Sequence, residues 1–291
     1  MRKRTKHKEI STSTFNKLGI LFEEKGWEVD EKQNDSSLFN RFCELLNCLN
    51  VEQQEFIIDL THNYQRFNFN DYNKLISKIL NTMAEKLEGF NELNTFFVMP
   101  LVSEEDKNKI KSSTLVAYLF QSPQIKYNNK MSNKNFKVRH ELTPKELNKI
   151  NESPKQKLLL VDDFIGTGET AMAAYDYYVS LGIKKEKIII LSLVSLLSGY
   201  QLIQAQNIDV FSGEIFKRAL SDYFSDSELT TKVNMMKSIE EIVAPHDDYK
   251  FGYKGSEALI TLVRTPNNTF PVYWLDKGKK VKRAPFPRGG N

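Results

Sequence analysis

Residues 158–170 read Leu158-Leu159-Leu160-Val161-Asp162-Asp163-Phe164-Ile165-Gly166-Thr167-Gly168-Glu169-Thr170. The apolar run at the start predicts a buried strand that ends at the acidic pair Asp162 and Asp163. Gly166 and Gly168 predict a tight turn after the pair, because glycine adopts backbone conformations that other residues avoid. The residues that follow predict a helix from about Gly168 to Leu181. The segment therefore predicts a strand–loop–helix unit with two carboxylates at the end of its strand.

The residue types in this unit suit a sugar phosphate as ligand. Backbone N–H groups at the start of a helix have no partner within the helix, and they favour a phosphate group. Ligands of open α/β folds bind at the carboxyl edge of the sheet, which is where Asp162 and Asp163 are expected. Carboxylates accept hydrogen bonds from hydroxyl groups. We therefore expect sugar hydroxyls at the acidic pair and a phosphate at the loop.

The surrounding chain alternates apolar strands with helices, which is typical of a doubly wound, mainly parallel α/β sheet. Around the acidic pair we expect strands at 158–161, 188–194 and 208–211, with helices at 168–181 and 200–206. Upstream we expect strands at 95–99, closed by Pro100, and at 115–120, then a long polar connection over 121–141. Downstream we expect helices at 214–224 and 227–243, and strands at 258–263 and 270–274.

The first ninety residues are predicted to be helical. Asn50 and Gln53 have the spacing of a capping box, and Asn70 or Asp71 is expected to cap the next helix. Thr143 and Glu146 predict another capping box further along the chain. Together with the charge pattern, this gives three expected regions: 1–90, an N-terminal helical region with a basic tail; 91–276, an α/β domain; and 277–291, a basic C-terminal tail.

The net charge of +4 comes from the two ends of the chain. Eleven basic residues and no acidic ones lie in the terminal stretches 1–8 and 277–291, and they are Arg2, Lys3, Arg4, Lys6, Lys8, Lys277, Lys279, Lys280, Lys282, Arg283 and Arg288. Without them the chain has 30 basic against 37 acidic residues, a net charge of −7. The chain is therefore not a globally basic nucleic-acid binder, and we expect any contact with a partner protein or nucleoprotein at the basic ends.

Composition excludes several classes of protein. A hydrophobic fraction of 40% supplies ample core material, so long disorder is not expected. No apolar run approaches the roughly 18–20 residues of a membrane span. Cys43 and Cys48 are too few for a disulfide framework. We expect a cytoplasmic protein that does not bind a membrane, and leave open whether it forms a homo-oligomer.

The segment 158–170 closely resembles the phosphoribosyl pyrophosphate (PRPP) motif of type I phosphoribosyltransferases, in which four apolar residues precede two acids and a Gly/Thr-rich loop. The resemblance implies that Asp162 and Asp163 are the catalytic pair and hold the ribose hydroxyls. It implies Mg²⁺ bound to the substrate, with the same two aspartates as its candidate protein ligands. It further implies that the loop wraps the 5-phosphate through Phe164, Ile165, Gly166, Thr167, Gly168, Glu169 and Thr170.

The family pattern also implies residues outside this segment. A pyrophosphate loop is expected after Met99 and Pro100, and a basic loop that closes over the site is expected within 121–141. The candidates there for contact with pyrophosphate are Lys126, Lys130, Lys134, Lys137 and Arg139. Glu169 departs from the family, because many members have glycine or serine at that position.

Other phosphate-binding and acidic motifs match the segment less well. A dinucleotide-binding loop would have a third glycine, and a P-loop would have Gly-Lys-Ser or Gly-Lys-Thr. A receiver domain also has a strand that ends in two aspartates, but no Gly-Thr-Gly loop follows it. A plain surface turn with capping acids would not explain why strand, acids, glycines and helix occur in this order.

The resemblance implies an enzyme that binds PRPP or a ribonucleotide with Mg²⁺ and transfers or cleaves at ribose C1. The alternative is a catalytically inactive nucleotide-sensing module that pairs with a protein or nucleic-acid partner. The N-terminal helical region and the segment 251–274 also resemble phosphoribosyltransferase-like proteins of bacterial conflict and antiphage systems, including retron-associated effectors. In that segment Tyr253 and Trp274 are candidates to stack on a base, and Asn267 or Asn268 to read its edge.

Overall fold

The computed structural model describes residues 10–29, 37–104, 111–276 and 278–289. The helices are α1 (Thr12–Lys25), α2 (Leu38–Asn47), α3 (Val51–Thr61), α4 (Phe69–Lys86), α5 (Ser112–Leu119), α6 (Pro123–Tyr127), α7 (Pro144–Glu152), α8 (Glu169–Ser180), α9 (Leu197–Gln204), α10 (Asp226–Val243) and α11 (Pro271–Trp274). The strands are β1 (Gln65–Arg66), β2 (Thr95–Pro100), β3 (Asn135–Val138), β4 (Gln156–Ile165), β5 (Ile188–Leu196), β6 (Asp209–Phe216) and β7 (Ile260–Thr261).

The chain divides into two compact units. The sheet unit is Phe67–Lys217, and the helical unit combines Met1–Arg66 with Arg218–Asn291. Helix α4 belongs to the sheet unit because it packs on strands β5 and β6. The junctions at 66/67 and 217/218 differ from the boundaries at 90/91 and 276/277 that we expected from the sequence.

The sheet unit contains five parallel strands in the order β3-β2-β4-β5-β6. Strand β4 is central, and its Leu160 pairs with Met99 on one side and Ile190 on the other. All residues of β2 and β5 are buried, as expected for parallel strands covered on both faces. The predicted doubly wound, mainly parallel α/β sheet is confirmed.

Helices cover both faces of this sheet. Alternate residues of β4 and β5, such as Leu158 and Ile190, form one core with Ile150 of α7, Ala174 of α8 and Ile203 of α9. Helix α4 packs on β5 and β6, helix α5 packs on β2 and β4, and side-chain alternation places both on the opposite face. Asp163 follows the odd-numbered positions of β4 and therefore points toward α4 and α5.

Residues 115–119 lie in helix α5 and Phe120 is its C-cap, so the strand expected at 115–120 was wrong. Val116 and Ala117 are buried while Tyr118 is 66% exposed, which is the pattern of a helix with one covered face. A short apolar run has no periodicity that separates a buried strand from a buried helix.

The segment 121–141 also differs from the polar connection that we expected. It contains helix α6 and strand β3, and β3 pairs with β2 at the edge of the sheet. An edge strand has one unpaired side, so its sequence stays polar, and here its residues are exposed or only partly buried. The polarity that suggested a loop therefore belongs to an edge strand.

The helical unit has a core of its own. It joins Phe22 of α1, Phe42 of α2, Ile57 of α3 and Ile239 of α10 to Tyr273 of α11. Strands β1 and β7 form a two-stranded parallel pair within this unit. Because α10 and α11 pack with the N-terminal helices, the end of the chain completes a core that the first sixty residues begin.

Two elements expected in the second half of the chain were wrong. The residues predicted as a helix at 214–224 instead complete β6 and then form a turn. The amides of Leu220 and Ser221 in this turn donate hydrogen bonds to the side chain of Glu257. The residues expected to form a strand at 270–274 form the short helix α11 instead. Pro271 occupies its first turn, where a missing N–H group costs nothing.

Part of the basic C-terminal segment is packed rather than free. Val281, Ala284 and Phe286 are buried, and the Phe286 ring stacks on Tyr64 with centroids 4.6 Å apart. The described part of the predicted tail, 278–289, is therefore part of the helical unit. The basic residues at positions 2–8 and Lys277 lie outside the described residues.

Across the described ranges, no helix combines the length and the apolar character needed to cross a membrane.

Candidate functional site

Strand β4 continues through the acidic pair, four residues beyond the predicted end at Val161. Asp162 still pairs in register with Ser192 of β5, and the strand ends at Ile165. Asp163 is only 5% exposed, whereas Asp162 is partly exposed. The strand therefore fixes both carboxylates near the carboxyl edge of the sheet.

Two hydroxyl groups hold the carboxylate of Asp163. The Oγ of Ser112, in the first turn of α5, donates to Oδ1 at 2.7 Å. The hydroxyl of Tyr72, a fully buried residue of α4, donates to Oδ2 at 3.2 Å. The amide of Asp163 in turn donates to Oδ1 of Asp162 at 2.8 Å. No local pattern identified Tyr72 or Ser112 as partners of Asp163, because both are distant in the chain from the motif.

Burial makes ionisation of this pair unfavourable. Burial and repulsion by Asp163 raise the pKa of Asp162 well above its usual value, and Lys111 opposes that shift only weakly. Burial also raises the pKa of Asp163, against its side-chain hydrogen bonds with Ser112, Asp162 and Tyr72. A site with two crowded carboxylates favours ligands that donate hydrogen bonds or carry positive charge, such as sugar hydroxyls or a metal ion.

The glycine loop after β4 leads directly into α8, as predicted. Gly168 precedes the helix with a φ of 87°, a conformation that favours glycine, and offers no side chain to cap the helix. The backbone N–H groups of the first turn therefore have no capping side chain at Gly168, and they carry the positive end of the helix dipole. Ile165 is buried beneath the loop, whereas Glu169 and Thr170 are exposed.

Gly199, which the sequence analysis did not connect with the site, packs against this loop. A Cβ atom added to Gly199, in the first turn of α9, would lie 2.2 Å from the carbonyl oxygen of Gly166 and 2.9 Å from the amide nitrogen of Gly168. The backbones of α9 and the loop are therefore in direct contact. A glycine within a helical stretch was the only signal available, and it shows a close approach without naming the partner.

The end of β2 lies beside the acidic pair. Pro100 pairs with Val161, and the amide of Leu101 donates to the carbonyl oxygen of Val161 at 2.8 Å. The chain that follows Met99 and Pro100 therefore leaves the sheet next to Asp162, as a pyrophosphate loop would. Met99, Pro100 and Leu101 are buried, whereas Val102 and Ser103 are partly exposed.

The basic residues of 121–141 have local contacts. Arg139 Nε donates to Glu146 of α7 at 2.8 Å. The hydrogen bonds from the Thr143 amide and from Arg139 together lower the pKa of Glu146. The Nζ of Lys130 bonds to Glu85 at 2.6 Å, and that of Lys126 to the Lys134 carbonyl at 2.8 Å. These contacts do not bring the basic side chains to the acidic pair.

Lys134 is a structural residue. Its ammonium group is buried and donates to the carbonyl oxygens of Phe90, Asn91 and Leu93. It also lies 4.5 Å from the centre of the Phe90 ring. Desolvation lowers the pKa of Lys134. A lysine enclosed in this way is not available to pyrophosphate.

Two of the four candidate base-reading residues of the helical unit, Trp274 and Asn268, are enclosed. Trp274 is 2% exposed, and its Nε1 donates to the carbonyl oxygen of Thr269 at 2.6 Å. Asn268 is buried, and its amide nitrogen lies 3.1 Å from the Oγ of Ser256. These contacts exclude Trp274 from stacking on a base in this structure.

The donor set at the site fits a magnesium ion that a substrate brings with it. Within the described residues no group of three or more His, Cys, Asp or Glu side chains could hold a metal. Mg²⁺ commonly binds through one or two carboxylates together with substrate phosphates. Asp162 and Asp163 supply that number of carboxylates.

A parallel α/β sheet that carries an acidic pair and a glycine loop at its carboxyl edge defines the class of protein. The family model described as PRTase-CE matches residues 49–288. Because that match covers most of the chain, the chain belongs to the PRTase-CE family. A search of curated protein sequences found no match.

Three solved phosphoribosyltransferases are similar to the chain at low identity. Orotate phosphoribosyltransferase from Aeropyrum pernix is 14% identical, with 60% of this chain and 77% of that chain covered, at a TM-score of 0.31. The APRTase from Giardia lamblia complexed with 9-deazaadenine is 16% identical, with coverage of 50% and 83% and a TM-score of 0.31. A hypoxanthine-guanine-xanthine phosphoribosyltransferase is 16% identical, with coverage of 51% and 75% and a TM-score of 0.29.

Proposed function

We propose that this protein binds PRPP or a ribonucleotide together with Mg²⁺ and transfers or cleaves at C1 of the ribose. The observation that supports the proposal is the geometry at the end of β4: an acidic pair is followed directly by a glycine loop and the N-terminus of α8. The end of β2 adds a third segment at the same edge. In this proposal the acidic pair meets the sugar hydroxyls, the glycine loop meets the 5-phosphate, and the chain after β2 meets the pyrophosphate.

Each part of the site has a role in such a reaction. The acidic pair is the ribose end of the site, and an ionised carboxylate of the pair also stabilises positive charge that develops on the sugar ring as the C1 bond breaks. The amides of 165–170 hold the 5-phosphate, and the residues after Pro100 meet the pyrophosphate. Bound Mg²⁺ supplies neutralisation of charge on the leaving pyrophosphate. Most of the catalysis is therefore positioning and electrostatic stabilisation.

Mass spectrometry tests the proposal directly. The protein is incubated with Mg²⁺, PRPP and a panel of nucleobases, and separately with nucleotides and pyrophosphate for the reverse reaction. We expect a new nucleotide or a freed base with wild-type protein and a loss of at least about 100-fold with Asp162→Asn. Asp176→Asn, an exposed carboxylate on α8, is the matched control and should keep wild-type activity. Absence of both turnover and PRPP binding would contradict the proposal.

A second candidate is a nucleotide-sensing module without catalysis, and Glu169 favours it. This exposed carboxylate occupies the first turn of α8, where its charge opposes an incoming phosphate. Calorimetry that shows nucleotide binding without turnover would support this candidate. Tighter binding of ribose 5-phosphate by Glu169→Gly than by wild type would show that the carboxylate weakens the phosphate site.

We also propose a role in bacterial antiphage defence. The proposal rests on the resemblance of the sequence to retron-associated proteins. Expression of the natural gene neighbourhood in bacteria, followed by phage challenge, tests this role. Wild type should protect the cells and Asp162→Asn should not. Equal phage yields with the intact system and with an empty vector would refute the role.

The basic ends are proposed as contacts with a partner protein or nucleoprotein. Lys279 and Lys280 are exposed although their neighbours Val281 and Phe286 are buried. The double change Lys279→Gln and Lys280→Gln therefore removes charge without removing the packed segment. It should flatten the salt dependence of binding to the isolated partner, whereas binding that is insensitive to salt in the wild type would rule out this contact.

A further inference from the structure

The helical unit contains a pocket of about 220 Å³, which is lined by the end of α3, by the turn at 219–224 and by α10. All of its lining residues belong to the helical unit, whereas the acidic pair belongs to the sheet unit. No step of the proposed reaction uses this pocket. It is therefore a candidate for a second binding site.

One side of α3 forms the first wall. The residues of this wall are Phe56, Asp59, Leu60 and Asn63. Their spacing of three and four residues places them on one side of a helix, and Asn63 continues that side just beyond the end of α3. Phe56 and Leu60 are buried, whereas Asp59 and Asn63 are exposed. The wall therefore combines an apolar floor with a carboxylate and an amide at the rim.

The turn at 219–224 forms the second wall, and Glu257 holds it in place. The Glu257 side chain is 5% exposed and accepts a hydrogen bond from the amide of Leu220 at 2.9 Å. The amide of Ala219 donates to the Glu257 carbonyl oxygen at 3.0 Å. The turn brings apolar and aromatic side chains to the pocket, namely Ala219, Leu220, Tyr223 and Phe224. A wall fixed in this way lowers the cost of ordering the site when a ligand binds.

Lys232 of α10 adds a positive charge to the pocket. Its Nζ lies 5.7 Å from the centre of the Phe56 ring and 5.2 Å from that of Phe224, which is the range of cation–π contacts. These contacts hold the ammonium group beside the aromatic walls. A ring face is a weaker acceptor than an oxygen atom, so the N–H groups of Lys232 can donate to a ligand.

The size and the lining of the pocket match a small planar ring with polar edges. A cavity of about 150 Å³ holds benzene, and pockets for drug-sized ligands span about 300–1,000 Å³. A volume of about 220 Å³ therefore has room for a bicyclic base rather than for a whole nucleotide. Aromatic walls favour stacking on such a ring.

We propose that this pocket binds the guanine ring of a free base or nucleoside. A carboxylate only accepts hydrogen bonds, so Asp59 matches the adjacent N1–H and N2–H₂ donors of guanine. An ammonium group only donates, so Lys232 matches the O6 and N7 acceptors. Adenine has an N6–H₂ donor in place of O6, and it would set a donor against Lys232. The proposal goes beyond the proposed function, because the acidic pair and its loop have no part in it.

Calorimetry on the full-length protein tests the choice of ligand. Guanosine should bind, and inosine, which lacks the N2 amino group, should bind at least about 10-fold more weakly. Adenosine should also bind at least about 10-fold more weakly than guanosine. N-acetyltryptophanamide represents an aromatic side chain of a partner protein. Tighter binding of that compound than of guanosine, or no binding of guanosine, would overturn the proposal.

Variants of the lining residues test the place of binding. Asp59→Asn should weaken guanosine at least about 10-fold and bring inosine to within about twofold of it, because the altered side chain no longer accepts from both donors. Lys232→Met should weaken guanosine and inosine by a similar factor, since both have O6. Ala219→Leu should weaken all nucleosides, because it fills the pocket. The matched controls are the exposed residues Glu52 on α3 and Lys237 on α10, and Glu52→Gln and Lys237→Met should bind as wild type does.

Circular dichroism at the temperature of the titration shows whether each variant is folded. Should Ala219→Leu fail to fold, Asp59→Asn and Lys232→Met test the same site, since neither fills the apolar floor. Guanosine affinity that is unchanged in these two variants would place the ligand elsewhere and refute the proposal. Because the measurement is nucleoside binding, a failure of the PRPP assay would count against the proposed function alone.

Discussion

At the scale of single residues, contacts that the sequence does not display determine the shape of the site. Gly166 and Gly168 are visible in the motif, but Gly199, which holds the loop from the other side, lies thirty residues away. Lys134 has the appearance of a ligand-binding lysine in the sequence and is an enclosed structural residue in the fold. Composition and spacing cannot separate these cases, because only the fold specifies which atoms approach.

Gly199→Ala should displace the glycine loop after β4. The added Cβ would lie 2.2 Å from a carbonyl oxygen of the loop backbone, which cannot move aside like a flexible side chain. We expect ribose 5-phosphate affinity to fall by at least about 10-fold and stability by about 1–3 kcal/mol. The control is Gly19→Ala in α1, where the added Cβ meets no atom within 4 Å, so stability should hold or rise. Calorimetry and denaturant unfolding measure both effects, and unaltered affinity would contradict the prediction.

Lys134→Met should destabilise the protein by about 2–4 kcal/mol, because three carbonyl oxygens near Phe90 lose their donor. Methionine keeps the apolar length of the side chain and removes only the ammonium group. Lys130→Met is the matched control, since that lysine is solvent-accessible and pairs with the exposed Glu85. Urea unfolding compares the two variants. Equal midpoints would show that Lys134 has no structural role.

At the scale of elements, local signals decide where helices begin. The capping box at α3 is present as predicted: Asn50 Oδ1 accepts from the Gln53 amide at 2.9 Å, and the Gln53 side chain accepts from the Asn50 amide at 3.0 Å. Asn50→Ala should therefore cost about 0.5–2 kcal/mol of stability, whereas Asn50→Asp should cost little, since aspartate is an equally good cap. Thermal unfolding of the two variants measures the difference. A similar loss in both would show that capping is not the cause.

Motifs with a local physical cause were predictable. The boxes at Asn50 and Thr143, the strand before the acidic pair and the helix after Gly168 all follow from neighbours in the chain. Helix α4 shows the limit of such signals, because Asn68 caps it rather than Asn70 or Asp71. Several residues near a helix start can serve as a cap, and packing of the helix selects among them.

Elements whose identity depends on tertiary partners were not predictable. Helix α5 was expected as a strand and β3 as part of a loop, because a buried apolar run and an edge strand have no distinctive period. The same holds at the site. The motif located Asp162 and Asp163, but Tyr72 and Ser112, the hydroxyl donors to Asp163, come from elements whose packing no local pattern encodes.

At the scale of the whole molecule, the two units differ in how the chain builds them. The sheet unit is one continuous segment, whereas the helical unit needs both ends of the chain. Within the helical unit, Glu240 of α10 is a buried carboxyl group that accepts a hydrogen bond from the Phe251 amide at 2.8 Å. Burial raises the pKa of Glu240 to about 7, and neither that hydrogen bond nor the nearby Lys250 offsets the shift. Stability of the protein should therefore depend on pH.

The sign of this dependence follows from proton binding. The folded state holds a proton on Glu240 up to a pKa of about 7, whereas the unfolded state releases it near the usual value of 4.5. Between these values the folded state binds more protons, so the contribution of Glu240 lowers stability as pH rises, on the order of 3 kcal/mol in total. The effect is absent below about pH 4.5 and complete above about pH 7.

Glu240→Gln keeps the shape of the side chain and should remove this contribution, whereas Glu241→Gln, exposed on the same helix, should retain it. Denaturant unfolding of the three proteins from pH 5 to pH 8 measures the difference, and parallel curves for wild type and Glu240→Gln would show that Glu240 ionises as freely in the folded state as in the unfolded chain.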